Sequence, residues 1–172
     1  MRRITLAIVA CAVFTSAVAA QRADWQVIDR TDPITDRRQL QVAKLSDRTT
    51  EGRRAEGVFV VMCSADEPRL GVVWPGEVAP AGFFEGLNAT GAPAVMVTFR
   101  VGNSPAEEEP WELFSDRVTT VFQPKEVMHR LLEAKSLTVR AASPAGRQMT
   151  LQFNLAGMRQ AIRPVLSACK WN

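Results

Sequence analysis

Ala94-Val95-Met96-Val97-Thr98-Phe99-Arg100-Val101 is the stretch on which the fold turns. In an extended chain successive side chains point to opposite faces. Val95, Val97, Phe99 and Val101 therefore share one face, and Met96, Thr98 and Arg100 share the other. This two-residue period, with β-branched and aromatic residues on one side, marks a half-buried strand, and Gly102-Asn103 ends it in a turn.

The same reading extends upstream. Trp25 to Ile28, Gln39 to Leu45, Val58 to Cys63 and Leu70 to Trp74 read as strands separated by polar or glycine-bearing turns. The charged segment 49–57, with Gly52 and Gly57, suits a hairpin connection that pairs the strands on either side of it. Pro75 to Pro93 reads as an ordered loop that packs Phe83, Phe84 and Leu87 inward.

Downstream, the acidic run Glu107-Glu108-Glu109-Pro110 reads as a loop before strands at Trp111 to Phe114 and Val118 to Phe122. Pro124 then opens a helix with Val127, Met128, Leu131 and Leu132 on one side and Lys125, Glu126, His129, Arg130 and Glu133 on the other. Leu137 to Ala141 and Gln148 to Phe153 form a further strand pair joined through Ser143-Pro144-Ala145-Gly146. A second helix closes the chain on an inner stripe of Met158, Ala161, Ile162, Val165 and Cys169, and Pro164 kinks or shortens it by removing a hydrogen bond. Helices follow strands too sparsely for a parallel βαβ sheet. The expected fold is mainly β (α+β): an antiparallel sheet or β-sandwich with two short helices and one disulfide.

The N-terminus carries an export signature. Arg2 and Arg3 precede an almost wholly apolar run from Ile4 to Val18, and Ala17-Val18-Ala19-Ala20 offers the small residues of a cleavage site. Residues 1–20 read as a signal peptide and 21–172 as a single β-rich domain. The apolar run is shorter than the roughly 20 residues of a spanning helix, so no transmembrane segment is expected after cleavage. Cys11 leaves with the leader, and the remaining Cys63 and Cys169 read as one disulfide in an oxidising compartment.

Loss of Arg2 and Arg3 takes the formal charge from +3 to +1. Arg37-Arg38 and Arg53-Arg54 stand among acids without interleaved aromatics, which argues against nucleic acid. The one histidine, His129, lies on the polar side of its helix, no Gly-x-Ser-x-Gly elbow occurs, and paired cysteines provide no nucleophile. One histidine cannot complete a usual zinc shell, and Glu107 to Glu109 lacks the spacing of an EF-hand loop. No cofactor, metal or catalytic residue is expected. Asp32, Asp36, Asp66 and Glu85 are available as paired carboxylates, although Asp32-Pro33 and Asp36 read better as turn formers. Asn88-Ala89-Thr90 matches a glycosylation acceptor by chance.

Strand alternation places Thr98 with Arg100, Thr138 with Arg140, and Thr150 with Gln152 and Asn154. If these strands are neighbours, their faces merge into a polar platform whose arginines hold an acidic ligand or a partner carboxylate in bidentate fashion. The alternative is an ordinary solvated sheet face. Arg100, Arg140 and Trp111 are the candidate binding residues.

The C-terminal tract Phe153-x-Leu155-x-Gly157-Met158-x-x-Ala161-Ile162-x-Pro164-Val165-Leu166-x-x-Cys169-x-Trp171 resembles the closing signature of the exported, type VI secretion-associated proteins called VasI or TagO. Trp25, Cys63 after an apolar strand, Val97-x-Phe99-Arg100-Val101, Trp111 and the segment from Val127 to Leu132 agree in order. The resemblance implies a small periplasmic β-rich accessory domain of the cell envelope, with no catalytic set to carry across. It points to a noncatalytic binding protein whose partner is an envelope protein, a secretion-machine component or a cell-wall fragment. Two other readings are a carboxylate-using cell-wall enzyme and an inhibitor or immunity-type protein acting through Glu107 to Glu109.

Overall fold

A computed structural model describes residues 25–36, 38–49, 57–64, 67–81, 91–121 and 124–171. They form strands β1 (Trp25–Thr31), β2 (Arg38–Leu45), β3 (Arg48–Thr49), β4 (Val58–Ser64), β5 (Glu67–Val73), β6 (Ala94–Val101), β7 (Glu107–Ser115), β8 (Val118–Thr120), β9 (Ser136–Ala142) and β10 (Gln148–Asn154). The helices are α1 (Pro124–Glu133), α2 (Met158–Ala161) and α3 (Arg163–Ala168). The strands make one antiparallel sheet in the order β1-β2-β4-β5-β8-β7-β6-β9-β10-β3. β2 and β4, flanking the charged segment, pair from Gln39↔Ser64 to Leu45↔Val58, as the sequence leads one to expect.

The sheet closes on itself at a corner. Only Ser46 and Asp47 separate β2 from β3, yet β2 pairs with β4 while β3 pairs with β10. The Ser46 N–H donates to Gly57 O at 2.9 Å and the Asp47 N–H to Gln152 O at 2.7 Å, so adjacent residues tie the two ends of the sheet together. Inside this closure Phe59 of β4 meets Phe153 of β10, ring centroids 5.8 Å apart. β1 lies outside the closed set as an extra strand on β2.

The inward faces of the strands share one apolar core with Val127, Met128 and Leu131 of α1 and Val165 of α3. Cys63 of β4 is bonded to Cys169 at the end of α3, across 106 residues. The closing helix is two helices: α2 ends at Ala161, and α3 begins at Arg163, next to Pro164. Proline has no N–H for the carbonyl four residues earlier, so the chain changes direction there.

The acidic run is strand rather than loop. Glu107, Glu108, Glu109 and Pro110 pair with Phe99, Thr98, Val97 and Met96 of β6. β7 pairs with β8 only from Glu112 onward, so at Pro110 one edge of the strand is unpaired, the setting in which a sheet tolerates proline. The segment 82–90, with Phe83, Phe84, Glu85, Leu87 and Asn88, lies outside the described residues, as do residues 1–24, Asp66, Arg37, Arg53 and Arg54. No helix among the described residues is long and apolar enough to cross a membrane.

Candidate binding face

The strands carrying the polar alternation are neighbours: β6 pairs with β9, and β9 with β10. Their inward residues Val97, Phe99, Val139, Leu151 and Phe153 are buried, which turns the polar set outward. Register sorts that set into ranks across the sheet. Thr98 opposes Arg140 and Arg140 opposes Thr150; two residues along, Arg100 opposes Thr138 and Thr138 opposes Gln152; two further on, Ser136 opposes Asn154. Arg100 and Arg140 are exposed, and Arg140 Nε donates to Thr150 Oγ1 at 3.1 Å, which fixes one side of its guanidinium.

The last two ranks form a wall of a groove of about 940 Å³, which Ser136, Thr138, Gln152 and Asn154 line from the sheet side. Its far side comes from the turn between β10 and α2. There the Leu155 N–H donates to Lys135 O at 2.9 Å, Asn154 Oδ1 accepts from the Ala156 N–H at 2.9 Å, and the Trp25 indole donates to Ala156 O at 2.8 Å. Gly157 takes φ 77, which favours glycine, and aims the chain into α2. The wall is thus tied to β1, to the α1–β9 connection and to its own strand.

The charge lining this groove is lopsided. Lys135, Arg159 and Arg163 border it against one carboxylate, Asp47. Asp47 is already engaged, accepting the Asn154 N–H and lying 4.0 Å from the Lys44 ammonium. Ion pairs among the described residues join Arg38 to Asp29, Lys44 to Asp47 and Arg130 to Glu107. Arg100, Arg140, Lys135, Arg159 and Arg163 take part in none of them. Arg159 reaches Leu132 O at 3.3 Å.

Trp111 does not belong to this face. It opposes Val95, an inward residue, and is 2% exposed, with its ring 5.8 Å from Phe99 and its indole N–H unpartnered. Strand parity puts it in the core, which corrects the expectation of a ligand contact.

The three glutamates also part company. Glu107 accepts two hydrogen bonds from Arg130, at 2.5 and 2.9 Å, and Arg130 lies 5.7 Å from the Phe99 ring centre. The hydrogen bond from Arg130 lowers the Glu107 pKa, whereas burial, helped by the Glu107 charge, raises that of Glu109. Glu108 alone of the three is exposed. The run offers a partner one exposed carboxylate rather than an acidic loop. Asp32 organises the turn after β1, its Oδ1 accepting the Ile34 and Thr35 N–H groups at 2.8 Å, and Asp36 follows at φ 53. His129 is exposed on α1.

Comparison with known protein families, curated proteins and solved structures finds no match to this chain.

Lys135, Arg159 and Arg163 escape the strand-by-strand reading. A signal for two of them is present: Arg159 and Arg163 are four apart and off the stripe Met158-Ile162-Val165, so they share the outward side of the closing helices.

Proposed function

We propose that this chain is a noncatalytic, exported binding protein of the cell envelope that engages an acidic partner through the outward face of β6, β9 and β10. One observation carries the reading: five cations without a carboxylate partner among the described residues gather on one surface of a chain whose formal charge is nearly balanced once the leader is removed. A cationic surface bordered by a groove steers and orients an anionic partner more than it performs chemistry. The Cys63–Cys169 bond supports an oxidising compartment, and with the leader-like N-terminus it supports a periplasmic location. The VasI/TagO-like C-terminal tract supports an accessory role, with a type VI secretion apparatus or another envelope assembly as its setting. Part of that tract, from Phe153 to Arg163, contributes to the groove.

The test is a quantitative pull-down from envelope extract with the mature protein, wild type beside Arg100→Ala, after far-UV circular dichroism shows both folded. Wild type is expected to retain a specific partner that the variant loses. Equal capture by both contradicts the binding face on β6, β9 and β10. Lysis of purified murein by wild-type protein in a zymogram overturns the noncatalytic reading in favour of a cell-wall enzyme.

A further inference from the structure

Resting on that binding reading, we infer that the ligand is an extended acidic segment of a partner protein, with carboxylates at alternate residues, laid along β9. The ranks of the face set the spacing. Arg140 and Arg100 belong to ranks two residues apart, and the Ser136–Asn154 rank lies two residues beyond, beside the groove bordered by Lys135, Arg159 and Arg163. Two residues of strand span about 6.6 to 6.8 Å, which is also the distance between alternate side chains of an extended peptide. A segment with acids at positions one, three and five therefore sets the first against Arg140, the second against Arg100 and the third at the mouth of the groove. A run of adjacent acids turns every second carboxylate away from the face.

The uncharged side chains select peptide over other polyanions. Thr98, Thr138, Ser136, Gln152 and Asn154 stand between the cations, and each brings an acceptor as well as a donor. A peptide backbone supplies N–H groups to those acceptors, whereas a phosphate polymer presents acceptors only. The carboxylates around the patch frame it: Glu108 shares the rank of Arg140 with Thr98 between them, and Asp47 is held by the Asn154 N–H at the groove. Neither forms an ion pair with Arg100 or Arg140.

Fluorescence anisotropy of the mature protein with a labelled Glu-Thr-Glu-Thr-Glu peptide, beside its isomer Glu-Glu-Glu-Thr-Thr of equal charge, tests this directly. The alternating peptide is expected to bind about tenfold more tightly, and Arg100→Ala and Arg140→Ala are each expected to weaken it by about tenfold or more, the worth of a charge-assisted hydrogen bond. Equal binding of the two isomers, or tighter binding of polyphosphate or of phosphatidylglycerol vesicles, overturns the extended-segment inference. If neither peptide binds while Arg100→Ala still loses the envelope partner, this inference falls and the binding face stands. If capture from extract ignores Arg100, the face itself is wrong.

Discussion

Trp74 and Thr119 show how much a single polar contact decides in this core. Both are 0% exposed, and the Trp74 indole N–H donates to Thr119 Oγ1 at 3.0 Å. Thr119→Val keeps the shape and strands the donor, so it is expected to cost about 1 to 3 kcal/mol, read as a lower urea midpoint at unchanged slope. Glu107 and Glu109 make a second residue-scale prediction because their pKa values move in opposite directions. The lowered pKa of Glu107 contributes stability above the ordinary carboxylate range that is lost as pH falls through the folded-state value. The raised pKa of Glu109 works in reverse, favouring the fold in acid and losing that contribution as pH rises. Glu107→Gln is therefore expected to be less stable than wild type at pH 7 and Glu109→Gln more stable, with both gaps closing on acidification; urea titrations from pH 7 to pH 3 check this, and gaps of the same sign contradict it. Trp111 marks what residue type hides: an aromatic beside acids reads as a ligand platform until register shows which face it occupies.

Among the elements, β6 was legible to the residue because its alternation is unbroken, and the outward placement of Arg100 and Arg140 followed from the same period. The second half of β7, Trp111 to Phe114, was legible too, but its first half was not, because glutamates and a proline carry loop-like local signals. What makes that segment a strand lies elsewhere, in β6 alongside and in Arg130, 23 residues on from Glu107. The closing helix was legible as a stripe and as a proline break, but its outward arginines become a site only through the groove beside β9 and β10. Gly71 of β5 gives this scale its own test. A Cβ there stands 2.4 Å from Thr119 O, a backbone atom of the adjacent strand that cannot turn away. Gly71→Ala is expected to cost at least about 2 kcal/mol by forcing β5 from β8, measured by chemical denaturation; a neutral result means that the two strands are not packed as described.

At the scale of the whole molecule, closure is the feature that strand patterns did not contain. It depends on Arg48 and Thr49 meeting Gln152 and Leu151, about a hundred positions away, through a bend at two polar residues. The disulfide was legible because only two cysteines lie beyond the leader-like N-terminus, and its span of 106 residues makes it a long-range tie in the chain's covalent structure. Cys63→Ser with Cys169→Ser is expected to lose about 4 to 5 kcal/mol in the chain-entropy view, seen as a matching drop in unfolding free energy under non-reducing conditions. The charge layout belongs to this scale too, since five cations from β6, β9, the α1–β9 connection and the closing helices meet only in the folded chain. The most direct test of its meaning moves the same charge change to two places: capture from envelope extract by Arg100→Glu/Arg140→Glu, against Arg30→Glu/Lys125→Glu, whose exposed cations lie on β1 and in the first turn of α1. The account predicts that the first pair abolishes capture and the second leaves it intact. Equal loss in both means that the chain attracts its partner by net charge alone, and contradicts a binding face on β6, β9 and β10.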